Sequence, residues 1–355
     1  LLHFFLKCVA KVIGFSELCN IFAKKIRRNF MKKILGMGNA LTDILLQIND
    51  DQVLDVLNLP RGSMQLIDLG KQQEIRAALD FSDALMATGG SASNTINGIT
   101  RLGGHAGFIG KIGRDDVGEF FMQDTLKNGV TPHLEYSVNN SGTCTVLVSA
   151  DGERTLCTFL GAACELDPAD LKPEMFRGYE IFHIEGYLVQ NHALIRTAVK
   201  LAKAEGLMVS VDLASYNVVE ANLDFLRELI KNYVDIVFAN EDEAKAFSGM
   251  EPQEALMHIG DHCDIAVVKI GKDGSFVRSE DQNHTIAPFM ADCIDTTGAG
   301  DLYAAGFLYG LACGYELPKC GLIGSLVSSK VVEVLGAKMP EAVWSEIKTE
   351  INQLS

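Results

Sequence analysis

The sequence predicts a three-layer α/β/α domain around a mostly parallel central sheet, with a small β-sheet beside it as a lid. Three features carry that expectation. From Lys33 onward, short β-rich runs alternate with helical stretches, the pattern of strands that return through helical crossovers. Several of the runs are nearly unbroken apolar sequence, such as Ile236-Val237-Phe238 and Ala266-Val267-Val268; strands of that kind are buried on both faces, as in parallel sheets. Two regions, 45–68 and 143–160, break the alternation with β-like sequence.

In chain order, the strand candidates are Lys33–Gly36, Ala106–Gly110, Ile181–Ile184, Leu207–Asp212, Asp235–Ala239 and Ile265–Ile270. Helical patterns lie between them at Ser93–Leu102, Val117–Asn128, Ala193–Ala204, Leu223–Asn232 and Glu241–Phe247. Leu45–Asp68 reads as a β-like stretch turning at Pro60-Arg61-Gly62. Thr145–Val148 and Thr155–Leu160 are joined by Ala150-Asp151-Gly152-Glu153, and Asp-Gly in that setting is a hairpin turn. These segments together predict a minor sheet over the strand ends. Such a sheet is either a lid that excludes water from a reactive phosphate or a solvated hairpin with no gating role. In open α/β sheets, ligands bind beyond the carboxyl ends of the strands.

The first thirty residues stand apart. Leu1–Phe30 carries six Lys/Arg against Glu17, and the first methionine is Met31. Lys7 and Lys11 interrupt its apolar run, making it a poor membrane span. It reads as an amphipathic surface or targeting segment, or more simply as an extension upstream of a start at Met31. The expected domain is therefore 31–355. The whole chain has 355 residues, a net charge of −15 and 48% hydrophobic residues. That is a globular composition, and its acidity argues against a nucleic-acid partner. Nine scattered cysteines without a Cys-x-x-Cys pair point to a reduced, cytoplasmic protein. His258, His262 and Cys263 have metal-ligand spacing, but neighbouring Asp261 and Asp264 make a solvated turn the better account.

The chemistry concentrates in Asp295-Thr296-Thr297-Gly298-Ala299-Gly300-Asp301, which runs straight into Leu302-Tyr303-Ala304-Ala305-Gly306-Phe307. Small residues let a ligand approach the backbone, and the free N–H groups of a helix start attract anions. Asp301, in the first helical turn, is placed to accept a hydroxyl proton while a phosphoryl group sits on the amides. The plainer reading is a helix N-terminus with an acidic first turn. Thr88-Gly89-Gly90-Ser91-Ala92-Ser93-Asn94 leads into another helix; its Gly-Gly turn admits a substrate and Asn94 can bond hydroxyls, unless Ser93 or Asn94 is simply an N-cap. Asp43, after Asn39 and the first strand, could hold a vicinal diol. Asn240 and Glu243 lie three apart at a helix start and could hold the waters of Mg²⁺, or serve only as dipole partners. Lys269-Ile270-Gly271-Lys272-Asp273-Gly274 could pass beside a nucleotide or be a hairpin turn. Gly36-Met37-Gly38 lacks the third glycine of a dinucleotide fingerprint, since Leu41 stands there, and no Walker-type Gly-x-x-x-x-Gly-Lys loop occurs.

These motifs in this order resemble the ribokinase-like (PfkB) family of sugar and nucleoside kinases, from about Lys33 to Ile347. Gly89–Asn94, with Leu102-Gly103-Gly104 and Gly110-Lys111-Ile112-Gly113-Arg114-Asp115, resembles its N-terminal signature, and Asp295–Asp301 its C-terminal one. The resemblance implies ATP and Mg²⁺, with Asp301 as general base and Gly298, Ala299 and Gly300 as the anion hole. It implies that Asn240 and Glu243 are linked to Mg²⁺ and phosphate, and that Asp295 and Thr297 form a loop for a monovalent cation, K⁺. Gly38-Asn39 with Asp43, Gln65-Leu66-Ile67, Gly142-Thr143-Cys144 and Arg154-Thr155-Leu156 before Leu160-Gly161-Ala162-Ala163 look closest to the adenosine-kinase branch. By that resemblance Asp43 binds the ribose diol beside Asn39, Gly89, Gly90 and Asn94, and Arg154 reaches the transferring phosphate from the lid. Lys269, Gly271, Gly274, Thr297, Ser325 and Ser328 fall on the nucleotide side. Gly324-Ser325 stands where that branch often has a histidine, so a sugar acceptor uses the same Asp43, Gly90 and Asn94. The partners implied are a small nucleoside or sugar and ATP, with no nucleic acid, no membrane, and a monomer or homodimer. A binding protein that kept the fold without catalysis is the alternative of another class, and a dehydrogenase would need the missing glycine.

Overall fold

Successive side chains of a buried strand point to opposite faces, and the apolar residues sort accordingly. Ile34, Ile181, Ile236 and Val267 enter one core cluster, whereas their neighbours Leu35, Phe182, Val237 and Val268 enter another. The sheet between these clusters therefore has helices on both sides, which makes the three layers. The computed structural model describes residues 31–354, and the expectations for residues 1–30 lie outside the described residues.

The strands in chain order are β1 (Ile34–Met37), β2 (Leu41–Gln47), β3 (Met64–Leu66), β4 (Leu85–Gly89), β5 (Ala106–Gly113), β6 (Thr131–Ser137) and β7 (Gly142–Val148). They continue as β8 (Arg154–Phe159), β9 (Ile181–Glu185), β10 (Met208–Asp212), β11 (Ile236–Asn240), β12 (Ile265–Lys269), β13 (Ser275–Ser279) and β14 (Gln282–Ile286). The large sheet has the order β14-β13-β12-β11-β10-β9-β1-β5-β6. It is parallel from β12 to β6, with the β13–β14 hairpin antiparallel at one edge. Leu35 lies in register between Gly107 of β5 and Phe182 of β9. The chain winds to one side of β1 through β5 and β6, then to the other side through β9 onward. The crevice at the carboxyl ends of β1 and β9 is thus a topological switch point, where such sheets bind ligands.

One helical layer contains His192–Ala204, Leu223–Tyr233, Glu241–Ser248 and Pro252–Gly260; the other contains Ser91–Leu102, Ala299–Ala312, Leu317–Val331 and Glu341–Ile351. Phe108, Phe121, Phe182, Phe238 and Phe307 are fully buried, each worth about 1.5–3 kcal/mol of apolar transfer. Phe238 on the sheet meets Phe307 of helix Ala299–Ala312 edge-on, with ring centroids 5.4 Å apart. That contact fixes the helix carrying Asp301 against the strand that ends in Asn240.

The second sheet has the order β3-β8-β7-β2-β4 and its own small core, including Leu46, Leu54, Leu57, Ile75, Leu147 and Cys157. The region 45–68 is not the continuous β-like stretch expected. A short helix, Gln52–Val56, interrupts it between β2 and β3. The cause is burial: Leu54 and Leu57, at helical spacing, both turn into this core and are 2% and 1% exposed.

Candidate active site

Adjacent strands of the large sheet each end in a polar residue at one rim of the crevice: Glu185 closes β9, Asp212 β10, Asn240 β11 and Lys269 β12, with Asn39 just after β1. The starts of helices Ser91–Leu102 and Ala299–Ala312 face them, and the second sheet forms the remaining wall. The resulting cavity of about 2090 Å³ is lined by every site residue the sequence predicted except Gly89 and Asp295.

Helix Ala299–Ala312 starts without a side-chain cap, on Gly298 at φ +77°. A Cβ at Gly298 would sit 2.6 Å from that of Ala337, so both space and conformation require glycine. Ala299 N–H is turned to the Thr296 carbonyl at 3.1 Å, which removes it from the expected trio of anion donors. Among the described residues, the Gly298 and Gly300 amides have no such partner. Lys269 reaches this turn, since a Cβ at Gly300 would lie 3.1 Å from its Nζ.

Asp301 is half-buried in the first turn and held by the opposite helix. Ser91 Oγ donates to its Oδ1 at 2.7 Å and Asn94 Nδ2 to its Oδ2 at 3.0 Å. Thr95 Oγ1 donates to its carbonyl at 3.0 Å. Neither Ser93 nor Asn94 is an N-cap: the cap position is Gly90, at φ +89°, and the helix begins at Ser91. A Cβ on Gly90 would lie 2.2 Å from the Asn39 carbonyl oxygen. Burial pushes the Asp301 carboxyl above its ordinary range, with Asp212 adding to the effect and the two donors and Lys269 opposing it.

Lys269 donates to Asp212 at 2.9 Å, with side chains only 13% and 9% exposed. Burial works against the ammonium, but Asp212, Glu243 and Asp301 outweigh it and hold the charge. Glu243 is pushed up to about 7 by burial and by Asp212. Asn240 and Glu243 close on each other as a capping box: Glu243 N–H donates to Asn240 Oδ1 and Asn240 N–H to Glu243 Oε2, both at 2.8 Å, and Asn240 Nδ2 also donates to Glu243 Oε1 at 2.7 Å. Three acidic groups thus act on one ammonium, Asp212 through a direct ion pair. Asp212 also accepts from Ala214 N–H at 2.9 Å, and Ala214 has the uncommon φ of +67°.

On the acceptor side, Asp43 of β2 is pushed up to about 6 by burial, with Lys338 and then Arg154 pulling it down. Lys338 Nζ is buried and has no hydrogen-bond partner among the described residues. Glu185 accepts from Asn39 N–H (2.9 Å), Asn39 Nδ2 (2.6 Å) and Ala92 N–H (2.9 Å), tying the loop after β1 to the helix that holds Asp301. Leu41, Met64, Leu66, Val146, Leu156 and Leu160 give the cavity an apolar wall on the second sheet.

Other residues expected to meet ligands are engaged with the protein itself. Arg154 Nη1 donates to Asp295 Oδ2 and, at 3.0 Å, to Thr297 Oγ1. The Asp295 carboxylate also accepts from Gly336 N–H (2.7 Å), Thr297 N–H (2.9 Å) and Thr297 Oγ1 (2.7 Å). Ser325 Oγ donates to the Ala287 carbonyl and Ser328 Oγ to that of Ala299, at 3.1 and 3.0 Å. Lys269 to Gly274 is the turn between antiparallel β12 and β13, and its glycines line the cavity as well. His258 and His262 lie with ring centroids 5.4 Å apart, and no group of three or more potential metal ligands occurs among the described residues. No helix of the described residues is long and apolar enough to cross a membrane.

Sequence reasoning missed Glu185, Asp212, Ser91 and Lys338. The first two carry a recognisable signal, an acid closing a buried strand in Ile-Phe-His-Ile-Glu and Met-Val-Ser-Val-Asp.

Residues 62–342 match the family model described as pfkB family carbohydrate kinase. A probable sugar kinase from Rhizobium etli CFN 42 has a similar structure, with a TM-score of 0.81 and 31% identity over 92% of this chain and 100% of that one. The adenosine kinase of Sinorhizobium meliloti gives a TM-score of 0.79 and 31% identity, over 90% of this chain and 99% of that one. An aminoimidazole riboside kinase of Salmonella typhimurium is 34% identical over 64% of this chain and 75% of its own length.

Proposed function

The chain belongs to the pfkB family of carbohydrate kinases, and from that premise we propose that it transfers the γ-phosphoryl group of ATP to a primary hydroxyl of a nucleoside, adenosine being the favoured acceptor. Members of this family are phosphotransferases acting on hydroxyl groups of sugars or nucleosides. The observation that carries the nucleoside reading is the apolar wall beside Asp43, from Leu41, Met64, Val146 and Leu156. A base offers that wall a flat apolar face, whereas a free sugar has none of comparable size. Asp43 and Asn39 would hold the ribose hydroxyls, bringing the primary hydroxyl to Asp301.

In this reading Asp301 accepts the hydroxyl proton as the acceptor oxygen bonds to the γ-phosphorus and the bond to the ADP oxygen breaks. Its two donors, Ser91 and Asn94, aim the carboxylate and leave it a lone pair for that proton. The Gly298 and Gly300 amides and the Lys269 ammonium take up charge on the transferred group. Arg154 lines the cavity but is held by Asp295 and Thr297, so it acts on this site by fixing the loop that enters the Gly298–Gly300 turn.

A divalent cation fits the crevice by the chemistry of its donors, because the acids Asp212, Glu243 and Asp301 and the amide Asn240 line it beside Lys269. Glu243, with Asn240 beside it, would hold Mg²⁺ through water. The ion would supply charge neutralisation on the phosphates.

The test is ADP release from Mg-ATP across adenosine, other nucleosides, ribose, fructose and keto-deoxy sugars. Turnover confined to adenosine, or highest on it, supports the reading. Turnover on a sugar alone keeps the kinase and removes the nucleoside. Ligand binding with no ADP formed on any acceptor points to a non-catalytic binding protein.

A further inference from the structure

The clasp between Arg154, Asp295 and Thr297 has the character of a cation site already filled. The resemblance read from the sequence put a monovalent cation at Asp295 and Thr297. The donor set does not fit one. A carboxylate has about four lone-pair positions, and Asp295 uses four: Arg154 Nη1 and Gly336 N–H on one oxygen, Thr297 N–H and Oγ1 on the other. The Thr297 hydroxyl gives its proton to Asp295 and accepts from Arg154, so it too is committed. Both members of the ion pair are about nine-tenths buried, and a second positive charge against one neutralised carboxylate would be repelled at short range.

The guanidinium also does mechanically what an ion would do there. It joins β8 of the second sheet to the loop that enters the Gly298–Gly300 turn, and the Asp295 carboxylate it holds accepts from Gly336 N–H, which brings in a third segment. Gly336 is followed by Ala337, which packs on Gly298. The position of the anion turn is therefore fixed from both sides by groups bonded to Asp295. Arginine suits this task because its charge is permanent and its planar fork serves several acceptors at once.

We propose that Arg154 is a built-in cation that takes the place of a monovalent ion at the Asp295–Thr297 loop, so that the anion turn is organised without potassium. The part concerning turnover rests on the kinase reading above; the part concerning ion binding does not.

The experiment compares 150 mM KCl (about physiological ionic strength) with choline chloride at the same concentration, by thermal melting and by ADP release. For the unmodified protein both readouts are expected to agree in the two salts, the rates within about twofold. Arg154→Gln leaves a buried carboxylate short of its cation and is expected to gain a potassium-specific rise in melting temperature. Where it turns over, its rate is expected to be at least about fivefold higher in KCl. Arg154→Lys keeps the charge and is expected to show equal melting in both salts, whatever its rate. A potassium-specific rise in melting temperature or rate of the unmodified protein overturns the proposal. So does a folded Arg154→Gln that melts identically in both salts. If Arg154→Gln does not fold, Asp295→Asn is read instead: it removes the charge that would attract an ion, and a potassium-specific shift in it also overturns the proposal. Absence of ADP in every salt and on every acceptor would count against the kinase reading, while the melting comparison would still decide the ion.

Discussion

Replacing Asp301 by Asn separates catalysis from folding with unusual clarity, because the structure predicts opposite effects on the two. Asp301 holds two hydrogen bonds, 2.7 Å from Ser91 Oγ and 3.0 Å from Asn94 Nδ2. An asparagine can keep both. Its oxygen faces Asn94, and its amide faces Ser91, whose hydroxyl rotates to accept instead of donate. The buried negative charge disappears, and with it the desolvation that raises the Asp301 carboxyl. The melting temperature should therefore hold or rise slightly. The proton acceptor is lost, which for a general base is worth about 10²–10⁴ in rate, or about 2.7–5.5 kcal/mol at 1.36 kcal/mol per decade. Acceptor KM should change by less than about threefold, since Asp43 and Asn39 are untouched. Coupled ADP release on the best acceptor gives kcat and KM, and a thermal melt gives stability. A variant that melts like the parent and retains more than about a tenth of its turnover would refute the role of Asp301. A rate loss accompanied by a fall of more than about 5 °C would trace the defect to folding.

Acceptor KM should rise as pH falls through about 6, because Asp43 is pushed up to about 6 by burial and only its carboxylate accepts two hydroxyl hydrogen bonds; the rise should vanish in Asp43→Asn. Lys338 is the foremost group pulling Asp43 down, so Lys338→Met should move that limb above pH 6. An unchanged KM profile in Lys338→Met would show that the ammonium does not act on Asp43. Glu185→Gln should gain stability relative to the parent as pH rises from about 5.5 to 8, read from urea midpoints. Burial pushes Glu185 from 4.5 up to about 7, so the stability held by its neutral form is full below 4.5 and is lost as pH rises through about 7, a loss glutamine escapes. A gap between the two proteins that stays constant with pH would contradict this.

What the sequence could disclose depended on whether a role is local. The Gly298–Asp301 turn announces itself because a small-residue helix start is a property of consecutive residues. Gly90 and Asn94 were legible for the same reason. The strands were legible where they were buried on both faces, yet their order was not, and the order is what assembles the crevice. Glu185 and Asp212 matter because β9 and β10 lie next to β1, a fact written nowhere in either strand. A better local rule is available in hindsight. Glu185, Asp212 and Lys269 each end a strand whose other residues are almost all buried, and a charge in that position can only be facing the ligand side of a parallel sheet.

The helix Gln52–Val56 escaped notice for a different reason. It is five residues long, too short for a periodic pattern to stand out, and its helicity comes from the small core above Leu147 rather than from propensity.

Arg154 and Asp295 show a limit of a third kind. Each was read for a ligand of its own, the arginine for a phosphate and the aspartate for an ion. In the structure they are partners across 141 positions of chain. Charged residues in one site mostly neutralise one another before they meet any ligand, because an unpaired buried charge is costly; Lys338, buried without a hydrogen-bond partner among the described residues, is the exception. The charge available to a ligand is therefore what remains after such pairing. Here acidic groups outnumber the ammonium around Lys269, where Asp212, Glu243 and Asp301 all act on it, whereas at Asp295 one carboxylate meets one guanidinium. On the two proposals above, a divalent cation with its nucleotide would bind at the first place and no monovalent ion at the second.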